Sequence, residues 1–193
     1  MIKVGITGGI GSGKSLLCTY LLHRGIEVYN CDIQAKRIMS QDPEVKRRII
    51  ELLGDDSYSE EGLNRKYIAL KVFNDRELLK SLNAIVHPAV RRDFIEWSDS
   101  LNAEVVALEA AILFEGSFHT AIDKIITVEA SAESRILRVI ARDSLSRDEV
   151  ERRIANQMSS QERIERADFV LYNEDDQAII PQIENILSSI GVE

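Results

Sequence analysis

Residues 2–15 of the chain read IKVGITGGIGSGKS, a short apolar run that leads into a glycine-rich loop. The loop contains glycine, four further residues and then glycine, lysine and serine, a pattern typical of loops that bind phosphate groups. Leu17, Tyr20 and Leu21 follow at helical spacing, so the sequence predicts strand, loop and helix in the order that the motif requires. The predicted phosphate-binding residues are Gly8, Gly9, Ile10, Gly11, Ser12, Gly13, Lys14 and Ser15.

Each part of this loop has a physical task. Glycines let backbone N–H groups close around phosphate oxygens, Lys14 can neutralise the β and γ oxygens, and the Ser15 hydroxyl can hold magnesium. A glycine-rich turn without function is the alternative, and the position of the motif between a predicted strand and helix disfavours it. We therefore predict that the chain binds a nucleoside triphosphate together with Mg²⁺.

Further short apolar segments indicate more strands, at residues 26–29, 104–108, 124–128 and 167–172, with helical stretches between them. Strands that alternate with helices predict the α/β class, with a mostly parallel P-loop NTPase-type sheet and helices on both faces. In such sheets ligands bind at the carboxyl ends of the strands, which is where the glycine loop begins.

The middle third of the chain, residues 41–102, is predicted to be a helical insert for the phosphate acceptor. Residues 55–62 are polar and rich in turn formers, which indicates turns in this part of the chain. Residues 65–97 have a helical pattern, which we expect to be interrupted at His87-Pro88 because proline disfavours the helical conformation of the residue before it.

Three helix starts are predicted from capping residues. Asp42 precedes Pro43, and the pairs Ser146 with Glu149 and Ser159 with Glu162 have the spacing of a capping box.

Residues 131–164 are predicted to form a helical lid. Arg138 and Arg142 are four residues apart and would share one helix face, where guanidinium groups can clamp phosphate oxygens. A solvated face that pairs with neighbouring acids remains the alternative. The predicted organisation is a single unit, in which a nucleotide-binding core takes about residues 1–40, 103–130 and 165–193.

Composition narrows the function classes. The chain has 24 Lys and Arg residues and 32 Asp and Glu residues. The resulting net charge of -8 disfavours broad binding to nucleic acid or anionic membranes. The two cysteines cannot form a disulfide framework, and no apolar run reaches membrane-spanning length. We predict a cytoplasmic protein with no obligate protein partner.

The lack of one sequence motif argues against a GTPase. A GTPase is expected to show an Asn-Lys-x-Asp signature, and the nearest match, residues 173–176, lacks the lysine. A helical insert with an arginine-rich segment favours a small-molecule kinase. A kinase for another nucleotide or nucleoside, or a regulatory ATPase that needs no acceptor, are the alternatives.

The loop sequence resembles the opening Thr-Gly-Gly-Ile-Gly-Ser-Gly-Lys-Ser of the dephospho-coenzyme A kinase family. Further matches in the same order are Cys31-Asp32-Ile33, Gly62-Leu63 with Arg65, Val72-Phe73, His87-Pro88 with Arg91, Leu113-Phe114-Glu115, Arg138 with Arg142-Asp143, the segment from Arg153 to Gln157, and Ala167-Asp168 with Asn173. The resemblance covers nearly the whole chain. It implies transfer of the γ-phosphate of ATP to the ribose 3′-hydroxyl of dephospho-coenzyme A.

The resemblance also implies roles for single residues. Asp32, Lys14 and Arg138 are the expected catalytic residues, and Asp32 is the expected carboxylate on the acceptor side. Asp32 also follows the second predicted strand at the edge of the sheet that carries the loop, although it could instead be the N-cap of a helix that begins at Ile33. The other expected ligand residues are Leu16, Arg142 and Asn173 for ATP, and Arg65, His87 and Arg91 for the acceptor. Glu109 ends an apolar strand, where an acid commonly orders magnesium or its water ligands.

Four residues depart from the family pattern. Asn30 stands at the first acid of Asp-Ala-Asp, Leu16 at the usual threonine, Ala111 at a proline and Glu109 at a position often held by aspartate. The change at Asn30 leaves Asp32 as the only carboxylate of its pair.

Overall fold

The structure is a computed structural model that describes residues 1–73 and 75–192. The chain forms two compact units: residues 1–29 with 102–193 make the first, and residues 30–101 make the second. Within the described part of the chain, no helix has both the length and the apolar character that a membrane crossing needs. The predicted lid, residues 131–164, lies within the first unit.

Short strands build two sheets. The strands are β1 (Ile2–Thr7), β2 (Glu27–Asn30), β3 (Tyr58–Ser59), β4 (Gly62–Leu63), β5 (Val105–Glu109), β6 (Lys124–Glu129) and β7 (Phe169–Tyr172). Five of them form one sheet in the order β2-β5-β1-β6-β7. The pairs β1–β5, β1–β6 and β6–β7 are parallel, so the predicted α/β fold with a mostly parallel sheet is confirmed. Since β1 is the central strand, its glycine loop opens at the middle of the carboxyl edge.

Helices connect and cover these strands. They are α1 (Lys14–His23), α2 (Cys31–Gln41), α3 (Pro43–Leu53), α4 (Arg65–Val72), α5 (Arg76–Asp99), α6 (Ala132–Asp143), α7 (Arg147–Ala155), α8 (Ser160–Arg166) and α9 (Ile179–Ser189). The three predicted starts are confirmed: Asp42 caps α3 ahead of its proline, and Ser146 and Ser159 form capping boxes with α7 and α8.

Both faces of the large sheet are covered. On one face, Val4 and Ile6 of β1 pack with Leu17 of α1 and Ile183 of α9 in a hydrophobic core. Gly5 points to the other face, where an added Cβ would lie 2.9 Å from the Leu113 side chain. The alternation of side chains along each strand therefore buries the sheet on two sides, as a parallel sheet requires.

The second unit is mainly helical, as predicted, with α2, α3 and α4 packed on α5. The turn-rich stretch at residues 55–62 overlaps two short strands, which the sequence pattern did not predict. Strands β3 and β4 pair there as an antiparallel hairpin, with Tyr58 opposite Leu63 and Ser59 opposite Gly62.

The predicted break at His87-Pro88 is wrong, because α5 runs without interruption through Pro88. A proline removes one backbone hydrogen bond and crowds the carbonyl four residues earlier. That residue is Ala84, which is exposed, so water can replace the lost donor. Val86, Val90 and Phe94 are buried on α5, and their packing outweighs the cost of the proline.

Candidate active site

The glycine loop ends where α1 begins, and Gly13 makes that turn possible. Gly13 is the N-cap of α1 with φ 102°, a left-handed conformation that favours glycine. An added Cβ at Gly13 would lie 2.1 Å from Nδ2 of Asn173. The Asn173 amide donates to the Ser12 carbonyl at 2.8 Å, so the structure brings this predicted ATP-binding residue onto the loop.

Lys14 folds back over its own loop. Its Nζ donates to the Gly8 carbonyl at 2.9 Å and to the Gly9 carbonyl at 3.3 Å. The ammonium group is thereby held at the loop, in the place where phosphate oxygens need a cation. Ser15 and Leu16 follow in the first turn of α1, and both are exposed.

Glu109 lies at the same edge of the sheet, because it ends β5 opposite Ile6 of β1. Burial raises the pKa of the Cys18 thiol, and the negative charge and hydrogen bonding of Glu109 raise it further, while Lys14 acts in the opposite direction. Cys18 therefore interacts with both groups, which places Glu109 in the region of Lys14. Its carboxylate and the Ser15 hydroxyl are oxygen donors of the kind that Mg²⁺ prefers, so these residues fit a magnesium site completed by water and phosphate.

The two predicted lid arginines have different surroundings. Arg138 donates from Nη2 to the Asn173 carbonyl at 2.9 Å, and its Nη1 is buried without a hydrogen-bond partner among the residues that the structure describes. Arg142 is exposed and makes a two-point pair with Asp143, at 2.8 and 2.9 Å. The structure thus brings Arg138 to the loop through Asn173, and it shows Arg142 paired with its neighbour.

Two residues that were not among the predicted site residues hold the loop at Ile10. The Ile10 N–H donates to Oε1 of Gln157 at 2.9 Å. The Ile10 carbonyl accepts from Nε of Arg135 at 3.0 Å. Both backbone polar groups of Ile10 are therefore bound by side chains from the segment 131–164.

A buried ion pair lies next to Arg135, because Arg135 and Arg163 both donate to the Ser160 hydroxyl. Glu129 ends β6, and its two carboxylate oxygens accept from Arg163 of α8 at 2.8 and 2.9 Å. Burial by itself would raise the pKa of Glu129, but hydrogen bonds from Arg163 and Thr127 outweigh it, so the pKa of Glu129 lies below its ordinary value. Both partners are almost fully buried, at 3% and 4% side-chain exposure.

The sequence does contain a signal for Arg135. It lies four residues before Val139, which is buried, and directly before the buried Ile136. An arginine at that spacing falls on or beside the apolar stripe of the helix and is not expected to be fully solvated. The resemblance included Gln157, but no pattern in the sequence predicts its bond to Ile10.

The acceptor-side residues lie in the second unit. Asp32 is exposed in the first turn of α2, and Asn30 is the N-cap of that helix. Arg65 begins α4 and is exposed. His87 and Arg91 lie one turn apart on α5, and burial lowers the pKa of His87, which favours a neutral ring.

The structure groups the predicted residues by unit. The loop, Lys14, Glu109, Arg138 and Asn173 belong to the first unit, whereas Asp32, Arg65, His87 and Arg91 belong to helices of the second. The predicted placement of Asp32 at the edge of the sheet that carries the loop stays a prediction. The structure also shows no group of three or more His, Cys, Asp or Glu residues able to hold a metal within residues 1–73 and 75–192.

Comparison with known proteins identifies relatives over almost the full length. The family model for dephospho-CoA kinase matches residues 2–178. The dephospho-CoA kinase of Bacteroides fragilis is 36% identical over 188 residues, which cover 97% of this chain and 92% of the relative. That of Porphyromonas gingivalis is 40% identical over 126 residues, which span 65% of this chain and 62% of the relative.

Solved structures agree on the fold. The crystal structure of TT1252 from Thermus thermophilus has a TM-score of 0.80 and 37% identity, and the match covers 98% of this chain and 95% of that one. The dephospho-CoA kinase from Campylobacter jejuni has a TM-score of 0.71 at 23% identity, with 97% and 96% covered, and supports the fold alone. The sequence-based prediction of the family is confirmed, and this chain belongs to the dephospho-CoA kinase family.

Proposed function

We propose that this chain is an ATP-dependent kinase that transfers the γ-phosphoryl group of ATP to the 3′-hydroxyl of dephospho-coenzyme A, giving coenzyme A and ADP. The observation that carries the proposal is the phosphate loop on the central strand of a family member, with Lys14 held over the carbonyls of Gly8 and Gly9. Coenzyme A formation by this step would place the enzyme last in the synthesis of that cofactor.

On the ATP side, the loop and Lys14 act on the phosphates. Backbone N–H groups at the start of α1 and the Lys14 ammonium stabilise negative charge that moves toward the leaving oxygen during transfer. Arg138 and Asn173 extend this side of the site, because they connect α6 and the end of β7 to the Ser12 carbonyl. Magnesium, held by Ser15 and ordered by Glu109, supplies further neutralisation of the phosphates when bound.

On the acceptor side, we assign Asp32 as the residue that orients the ribose hydroxyl and takes its proton. The hydroxyl oxygen forms a bond to the γ-phosphorus, the bond from that phosphorus to the bridging oxygen breaks, and ADP leaves. The exposed carboxylate of Asp32 supports this assignment, since it is not used to cap α2. Arg65, His87 and Arg91 are the proposed acceptor-binding residues.

The proposal is tested by measuring ADP release from ATP and magnesium with and without dephospho-coenzyme A. We expect ADP only when this acceptor is present, because a transferase site excludes water as an acceptor. AMP and adenosine serve as comparison acceptors. Equal turnover with AMP would favour a kinase for another nucleotide, and release unaffected by any acceptor would favour a regulatory ATPase.

A cytoplasmic location is part of the proposal. Both cysteines, Cys18 and Cys31, are buried thiols that are not joined in a disulfide, which suits a reducing compartment. The absence of nucleic-acid, membrane and obligate protein partners stays a prediction.

A further inference from the structure

Arg135 is a buried charged residue that contacts the phosphate loop. Its exposure is 4%, although it lies on α6, a helix with a largely polar surface. A buried arginine is unusual unless a carboxylate or several hydrogen bonds compensate its charge.

The guanidinium of Arg135 lies directly against the loop backbone. A Cβ added to Gly9 would lie 2.5 Å from Cζ and from Nη2 of Arg135, so this approach requires glycine at position 9. Nε of Arg135 donates to the Ile10 carbonyl at 3.0 Å. The backbone of Arg135 also adjoins the loop, since an added Cβ at Gly11 would lie 2.5 Å from its carbonyl oxygen.

Among residues 1–73 and 75–192, no carboxylate forms an ion pair with Arg135. The nearby carboxylate of Glu129 is bound at both oxygens by Arg163. Among the described residues, the side-chain bonds of Arg135 go to the Ile10 carbonyl and, at 3.5 Å, to the Ser160 hydroxyl. Burial lowers the pKa of Arg135, and the neighbouring charge of Arg163 lowers it further, with partial compensation from Glu129.

From this geometry we infer that Arg135 is a second cation of the phosphate site, and that it acts on the triphosphate through the loop. It is a positioning residue rather than a catalytic one, because its contacts are with Gly9 and Ile10 of the loop. It fixes the Ile10 peptide and places a positive charge in a poorly hydrated region, where charges act over longer distances than in water. The polyanion on the loop then adds to the partial compensation that Glu129 provides for this charge.

This role predicts that the affinity for ATP depends on the charge of residue 135 rather than on the shape of its side chain. Arg135→Lys keeps the charge, whereas Arg135→Gln and Arg135→Met remove it and retain a polar or an apolar stem. Dissociation constants for ATP, ADP and adenosine are measured by calorimetry without an acceptor, with melting temperature as the folding control. The inference rests on the proposed ATP binding, so the wild-type protein is measured first, and a lack of ATP binding would contradict the proposed function itself.

We expect the neutral variants to bind ATP at least about tenfold more weakly, the scale of a buried charge acting at an effective dielectric constant of about 20. ADP should lose less affinity, adenosine should change less than about twofold, and Arg135→Lys should keep ATP affinity within about threefold. Arg47→Met is the matched control, because Arg47 lies on α3 and pairs with Glu44 and Glu51 at the surface. It should bind all three ligands like the wild type.

Three results would overturn the inference. One is ATP affinity in a folded neutral variant equal to that of the wild type. Another is an equal loss for ATP and adenosine, which would indicate a general distortion of the site. The third is that Arg135→Gln and Arg135→Met both fail to fold while Arg135→Lys folds. That result would show that the charge stabilises the folded protein rather than the bound ATP.

Discussion

The side-chain oxygen of Asn30 accepts a hydrogen bond from the backbone N–H of Ile33 at 2.9 Å and so caps α2. The helix begins at Cys31, which puts Asp32 in its first turn. The alternative role for Asp32, as the N-cap of a helix beginning at Ile33, is therefore wrong. Asn30, which departs from the family pattern, performs that structural task, and an acid at Asp32 needs another reason, for which proton transfer is our proposal.

Asp32→Asn separates catalysis from stability. We expect turnover to fall by about a hundredfold or more, the usual scale for loss of a general base, with little change in melting temperature. Steady-state kinetics with thermal melting measure both quantities. Asn30→Ala is the matched comparison, and it should lower the free energy of unfolding by about 0.5–2 kcal/mol through loss of the cap. Turnover of Asp32→Asn within about threefold of wild type would remove Asp32 from the mechanism.

Lys14→Ala tests the interpretation of the loop. Because the ammonium group stabilises charge that develops during transfer, we expect turnover to drop by at least about a hundredfold. Lys124→Ala is the control. Lys124 is the first residue of β6, at the edge of the sheet opposite to the loop, and it pairs with Asp168 at the surface. Near-normal turnover of a folded Lys14→Ala protein would show that the loop does not act on the transferred phosphate.

The Glu129–Arg163 pair should be important for stability. Glu129→Gln leaves a buried guanidinium without its counter-charge, and we expect a loss of about 3–5 kcal/mol in the free energy of unfolding. Glu51→Gln is the control, because its partner Arg47 and Glu51 itself are both 59% exposed, and it should cost less than about 1 kcal/mol. Urea unfolding of the three proteins measures the difference, and similar losses for both variants would contradict this account.

The same pair predicts a pH dependence. Since the folded-state pKa of Glu129 lies below its ordinary value of 4.5, its stabilisation is fully present above that pH. It is lost as the pH falls through the lower folded-state pKa. The stability gap between wild type and Glu129→Gln should therefore be constant near neutrality and narrow in acid. A gap that widens below pH 4.5 would reverse the assigned sign.

Hydrogen exchange tests the predicted lid. Residues 138–153 should exchange more slowly when both substrates are bound than in the free protein, because the site must exclude water before transfer. We expect α6 and α7 to change together, since Ile136 and Val139 of α6 pack in a small core with Val150 of α7. Identical exchange across α7 with and without substrates would count against closure of this segment.

The sequence predicts local structure best where one residue type has one physical task. The glycines of the loop, the proline after Asp42 and the two capping boxes identify their elements correctly, because each acts over a few residues. Pro88 misleads for the opposite reason: its local preference opposes a helix, but buried side chains on both sides of it keep α5 intact. Local preference is a weak guide where tertiary packing decides.

Within the site, the sequence predicts the residues of the motif but not those that hold it. The contacts of Arg135 with Gly9 and of Gln157 with Ile10 join residues more than a hundred positions apart. No periodicity or spacing contains such a pairing. The burial of Arg135 could be suspected from the apolar stripe of α6, whereas its partner could not.

The central claim is that the γ-phosphate moves to one particular oxygen of the acceptor. ATP labelled in its γ-phosphate is supplied with dephospho-coenzyme A, and the position of the label in the product is determined by tandem mass spectrometry. We predict that all of the label resides in the 3′-phosphate of coenzyme A, with an equal amount of ADP. Label in inorganic phosphate, or at any other position of the acceptor, would contradict the account.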